Sequence, residues 1–226
     1  MNEEKQATEE RQTAWEIMRD FFQDKKEKPQ ELQIFNPLGL KIGDFVSIDI
    51  EGLFGEQFPV TEIRENTTGV GEKDFVHTDF VLATEGDETV YLRLNPVVNS
   101  DPYAKKHCDM LVLFPDAEMR HDEDFYKNTL STGILEVNED GVVIATYERI
   151  RKKKDPFQAI VKVVDKQGQP PRVERISYWD YDRDTEDGTK EFYFVEMNEE
   201  TGFFKMFRGV PVFEESVKFL RKKVGA

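Results

Sequence analysis

Residues 14 to 22 carry Ala14, Trp15, Met18, Phe21 and Phe22 at i, i+1, i+4, i+7 and i+8, in a segment otherwise rich in Glu, Arg, Gln and Lys. On a helix turning every 3.6 residues that spacing forms one apolar stripe. It predicts an amphipathic helical arm within residues 1–30, closed by Pro29. From Leu38 the apolar period drops to two. "LKIGDFVSIDIEG" alternates through Phe45, Ile48 and Ile50, and short strands follow at "QFPVTEI", "DFVHTDFVLATE" and "TVYLRLNPVV". "DMLVLFPD" reads as a buried strand that stops at Pro115. Hairpin turns are expected at residues 85–88, Asp140-Gly141, Lys166–Pro171 and Glu199–Gly202. Two further stretches read as helices: residues 117–130, with Met119, Phe125, Tyr126 and Leu130, and the closing "EESVKFLRKK". The expected fold is α+β and mainly antiparallel β. Two small barrel- or sandwich-like β units, residues 36–100 and 101–226, pack together, with an N-terminal, a middle and a C-terminal helix.

Composition narrows the class. Hydrophobic residues make up 38% and charged residues 34%, yet the 18 Phe, 7 Tyr and 2 Trp are too many for a disordered chain. A net charge of −15 argues against a general nucleic-acid binder, which needs a basic surface to displace counterions from phosphate. The single cysteine, Cys108, excludes an intramolecular disulfide and a multi-thiolate zinc site. The opening "MNEEKQ" lacks the apolar core of a signal peptide, and no apolar run approaches the ~18 residues of a membrane span. The expected compartment is the cytoplasm.

Candidate chemistry is sparse. "YWDYDRDTEDGTKEF" places Asp180, Asp182, Asp184 and Glu191 at positions one, three, five and twelve, the ligand rhythm of an EF-hand loop for Ca2+. Position six, where the sharp turn requires glycine, is Thr185, and the flanks are β-branched and aromatic. A hairpin turning at Asp187-Gly188 with a solvated acidic loop is the plainer reading; a site for Ca2+ or Mg2+, serving a cation-binding protein or a metal-dependent enzyme, is the alternative. No other cofactor is implied. In "TGVGEKD" the second Gly is followed by Glu72, where a phosphate loop needs Lys, and Lys73 by Asp74, where it needs Ser or Thr, so a turn is the better reading. No Gly-x-Ser-x-Gly elbow or cysteine-nucleophile signature occurs, so no catalytic residue is assigned. Two contact surfaces remain. The stripe of Trp15, Met18, Phe21 and Phe22 suits a partner's groove. Arg151, Lys152, Lys153 and Lys154 form the strongest basic run and suit an anionic surface.

The order of "PLGLKIGDFVSID", "FVLATEGDETVYLRLN", "LVLFPD", "DGVVIATYERI", "EFYFVEMNEE" and "FRGVPV" resembles the YjfK-type family of bacterial cytoplasmic proteins, over residues 37 to 220. The resemblance carries no catalytic residues. It implies an accessory or adaptor protein at the inner face of the membrane, in an envelope-stress assembly, with a phage-shock-like coat protein or a small membrane protein as partner. Fold-level likeness alone does not establish such a role.

Overall fold

The computed structural model describes residues 31–33, 37–50, 53, 57–68, 77–84, 89–96, 108–150, 155–166 and 168–222. The expected N-terminal helix therefore lies outside the described residues. The chain forms two compact units, residues 1–32 with 222–226 and residues 33–221, and the second holds the barrel described below.

Thirteen strands are described: β1 (Glu31–Gln33), β2 (Phe45–Ile48), β3 (Gln57–Thr68), β4 (His77–Ala83), β5 (Thr89–Pro96), β6 (Cys108–Arg120), β7 (Ile134–Glu139), β8 (Val142–Arg149), β9 (Phe157–Val164), β10 (Arg172–Asp184), β11 (Lys190–Asn198), β12 (Phe203–Val212) and β13 (Val217–Lys222). Eight of them close an antiparallel barrel in the order β3-β4-β5-β6-β12-β11-β10-β9 and back to β3. Closure depends on long strands. β3 pairs with β4 on one side and β9 on the other, and β10 gives Arg172–Tyr178 to β9 and Ile176–Asp184 to β11. Closure gives each of these strands a partner on both sides over at least part of its length.

Both faces of several strands are buried. On β5, Val90, Leu92 and Leu94 point outward into a core shared with Phe80, Leu82 and Val112, beneath β2 and β13. Tyr91 and Arg93 point inward. A second outer core joins Trp179, Tyr181, Tyr193 and Phe204 to Leu130, Leu135 and Tyr147. Inside the barrel, Leu111, Leu113, Phe194 and Phe207 pack together, and Ala159, Val161, Val163, Ile176 and Tyr178 fill the β9–β10 side.

This nearly all-β architecture overturns the α+β expectation. Strands from residues 36–100 and from residues 101–226 close the same barrel, so the two stretches do not form separate barrels or sandwiches. The middle helix shrinks to Glu123–Phe125, continuing as a π-helical turn over Tyr126–Leu130. Asp122 caps it, its carboxylate accepting from the Phe125 N–H at 2.8 Å. β6 runs on through Pro115 because Asp116 is an extra residue there: Met206 faces Ala117 and Phe207 faces Pro115. A bulge tolerates a residue with no N–H to give. In place of the C-terminal helix there is a 3-10 turn, Glu214–Ser216, followed by β13. There Val217 and Phe219 are buried and Lys218 is exposed, a period of two rather than 3.6. The turns at Asp140-Gly141, Lys166–Pro171, Asp187-Gly188 and Glu199–Gly202 stand as expected, joining paired strands. Among the described residues, no helix is long and apolar enough to cross a membrane.

The barrel interior is tight at Gly209. A Cβ there would lie 2.8 Å from Phe194 Cε2, 3.1 Å from Leu113 Cδ2 and 3.2 Å from Phe192 Cβ. Gly209→Ala is expected to destabilise the fold by about 1–3 kcal/mol in urea unfolding, the usual cost of overpacking a filled core. An unchanged midpoint would mean the interior has slack that these distances deny.

Candidate functional site

The barrel is lined by charge as well as by apolar groups. Asp79 on β4 and Arg93 on β5 face each other in register. Arg93 donates from Nε to Asp79 Oδ1 at 2.7 Å and from Nη2 to Asp79 Oδ2 at 2.9 Å, the two-pronged geometry that suits a guanidinium to a carboxylate. Its Nη2 also donates to Glu196 Oε1 at 2.9 Å, and Glu196 sits on β11, three strands away. The guanidinium lies 4.6 Å from the centre of the Phe194 ring. Next to this group the Tyr178 hydroxyl donates to Asn66 Oδ1, and Asn66 Nδ2 donates to the Arg64 carbonyl at 3.1 Å. His77 lies 3.4 Å from Asp79 and edge-on to Tyr178, with ring centres 5.7 Å apart.

Burial sets the protonation states. It presses the Asp79 carboxyl upward, but Arg93 and His77 more than reverse this and hold it well below the usual carboxylate range. Burial and then Arg93 push the His77 pKa below its ordinary 6.5, so the imidazole is neutral in the fold. The unfolded chain therefore binds a proton that the folded chain refuses. Stability from neutral His77 is complete above 6.5 and is lost as pH falls from there towards its lower folded-state pKa. The wild type should accordingly lose more melting temperature than His77→Gln between about pH 7.5 and about pH 5.5. Parallel melting curves for the two proteins across that window would show that His77 is not held neutral. Arg93→Met strands two buried carboxylates and should cost about 3–5 kcal/mol in urea unfolding.

At one end the barrel wall opens. Pairing between β5 and β6 stops at Tyr91 opposite Leu113, while β6 continues to Arg120. A cavity of about 530 Å3 lies in the gap, reaching Phe114, Asp116 and Met206. A second, of about 510 Å3, forms the barrel mouth above Arg64 and Glu196. Thr89, Tyr91, Glu118 and Lys205 border both. At the rim Arg172 Nε donates to Glu174 Oε1 at 2.8 Å, with Glu62 at 3.7 Å, and Lys205 lies 3.0 Å from Glu118. Burial works against the charge on Arg64, yet Glu196, Tyr178, Asp79 and Tyr91 together hold its pKa above the ordinary value.

The acidic stretch singled out in the sequence is part of the β10–β11 hairpin. Asp180, Asp182 and Asp184 alternate along β10 and share one face, whereas Glu191 stands opposite Arg183 and shares the other. Glu191 accepts from Arg183 Nε at 2.6 Å and from the Tyr147 hydroxyl at 2.9 Å. Lys190 Nζ lies 2.7 Å from Asp182 and 3.8 Å from Asp184. The hairpin thus separates the four carboxylates that an EF-hand loop would bring around one ion. Trp15, Met18, Phe21 and Phe22 lie outside the described residues, as do Arg151, Lys152, Lys153 and Lys154. His121 stacks on Phe204 with ring centres 5.7 Å apart.

The β7–β8 hairpin is a flap on the outside of the barrel. Its inner face sets Leu135, Ala145 and Tyr147 against Trp179, Tyr181 and Tyr193. Among the described residues it joins β10 through the pairs Tyr181 with Arg149 and Asp182 with Glu148 and a hydrogen bond of 3.0 Å from the Ile150 N–H to the Asp180 carbonyl. On its other side Ile134, Val143 and Ile144 are 50%, 46% and 54% exposed, a bulge in β8 setting Val143 opposite Asn138. Among the described residues β7 pairs with β8 alone and ends the strand order.

Searched against known proteins, the chain matches no family model, no curated protein and no solved structure.

Proposed function

We propose that this protein works by contact with a protein partner, and that the outer face and free edge of the β7–β8 hairpin make the contact. The observation that supports this is the exposure of Ile134, Val143 and Ile144 on a hairpin whose other face already meets the core. Clustered aliphatics that a fold does not use are unusual on a soluble surface and mark contact sites. The edge strand offers the backbone half of a match. The Gly133 carbonyl accepts from the Arg149 N–H at 2.9 Å, so Ile134 and Glu136 turn their own backbone groups away from β8; at Ile134 the Thr132 hydroxyl, 3.3 Å from both its N–H and its carbonyl, holds the place that an added strand would take. An added strand from a partner would pair there, as in recognition by sheet extension.

The charges on the same face specify the partner. Glu136 and Glu148 are exposed among the aliphatic residues. A second copy of this chain would bring like charges together, on a molecule already at −15. An extended segment alternating aliphatic and basic residues matches both the apolar and the acidic positions. A non-catalytic role of this kind agrees with the adaptor role implied by the family resemblance.

The test is calorimetry with two synthetic strands, one alternating valine with lysine and one alternating valine with glutamate. The lysine strand is expected to bind and the glutamate strand not. The pair Val143→Asp, Ile144→Asp should weaken binding at least tenfold, about 1.4 kcal/mol, without lowering the melting temperature. Equal binding of both strands, or full binding by the variant, would refute the assignment. So would a wild type that dimerises through this face.

A further inference from the structure

Arg64 is the anomaly of the barrel. Its side chain is 8% exposed and lines the mouth cavity, yet its buried Nε has no hydrogen-bond partner among the described residues. Its Nη2 lies 3.5 Å from Glu196 and 3.8 Å from Glu174. Arg93, one strand pair away, shows what the same interior does for a guanidinium it means to satisfy: three short bonds to two carboxylates. A guanidinium carries five donors in a fixed fork, and burying them unmade is costly. The geometry suits a group with two acceptor oxygens arriving through the mouth, which is what a carboxylate supplies.

A carboxylate alone does not fit the charge. Glu62, Glu118, Glu174 and Glu196 border this cavity against Arg64, Arg172 and Lys205, four negative groups to three positive. Asp79 and Arg93 beneath them cancel each other. A bare anion would enlarge the surplus, whereas a ligand carrying its own ammonium group would not. Glu62 is the acceptor with most to offer that ammonium, since its cation, Arg172, stands 3.7 Å away and bonds Glu174 instead. Tyr91, Phe203 and Ile176 give the wall an apolar side. A cavity of about 510 Å3 lies within the range of small-molecule sites.

We infer that the barrel mouth binds a free α-amino acid, its carboxylate on Arg64 and its ammonium among the glutamates at the rim. The site is independent of the β7–β8 face and stands or falls separately from it.

The experiment is a thermal-shift screen of the full chain with each of the proteinogenic amino acids at millimolar concentration. Any hit is then measured by calorimetry beside its deaminated and decarboxylated analogues, for leucine isocaproate and isoamylamine. At least one amino acid is expected to bind, with both analogues at least tenfold weaker. Arg64→Met, which keeps the aliphatic stem, should abolish the heat. Thr89→Trp fills the mouth without touching an ion pair and should do the same, so it decides the matter should Arg64→Met not fold. No hit in the screen overturns the inference. An analogue lacking the amine that binds as well as its parent overturns it in favour of a simple anion site. Binding retained in the folded variants places the ligand elsewhere and overturns it too.

Discussion

Arg93 reaches across the barrel and holds β4, β5 and β11 at once. Its fork is filled by Asp79 on one side and Glu196 on the other, and its flat face rests on Phe194. An ion group of this kind adds little net stability over an apolar filling of the same shape, because desolvation consumes most of what the attraction returns. What it supplies is uniqueness. Any other register of β5 would move the guanidinium from Asp79 to His77, Thr78, Phe80 or Val81 and leave Asp79 alone, at a cost no packing gain would offset. The network around it obeys the same constraint. Asn66 must accept from Tyr178, and His77 must stay neutral beside an arginine that repels its proton.

The apolar groups are arranged around that polar axis in shells. Leu111, Leu113 and Phe207 seal one side of the interior, with Gly209 present because there is no room for a Cβ. Two further cores lie outside the barrel, one under β2 and β13 and one under the short helix and the β7–β8 flap. This layering explains how a chain with 34% charged residues still buries a large apolar area. It also explains why the two surfaces proposed for contact are peripheral. The centre is filled, so the mouth and the flap are where other molecules have access.

Much of the secondary structure was legible. Asp140-Gly141 turns with both residues at positive φ, whereas at Asp187-Gly188 the glycine takes the positive φ. The two misread helices failed for a common reason: short apolar spacings fit both periods. Met119 and the helix residues Phe125 and Leu130 fit a helical template over residues 117–130, but β12 was available to pair β6 as far as Arg120. Val217 and Phe219 alternate, a signal that the flanking charges obscured. The interior site was not legible at all. Arg93 between Leu92 and Leu94, or Asp79 before Phe80, reads as the wet face of a half-buried strand. Only closure of the barrel, which brings β3 to β9 and β5 opposite β11, turns that face inward. Alternation gives the spacing of a strand's two faces and says nothing about which of them meets water.

The seam between β3 and β9 has a consequence in time. It joins Ile63 to Val164, and Arg93 meets Glu196 across a comparable stretch of chain. As the chain leaves the ribosome, β3 to β6 exist before any strand that can close them. That half-barrel is an open sheet with two raw edges, the form most prone to pair with a neighbouring chain. Its concave face at that stage carries Arg64, Asp79 and Arg93, all still hydrated. Charges pointing inward on an unfinished sheet act as gatekeepers against stacking. The residues that pin the register of the finished barrel thus also guard the interval before β9 to β12 arrive, and a slow, long-range topology becomes tolerable because its lining is polar.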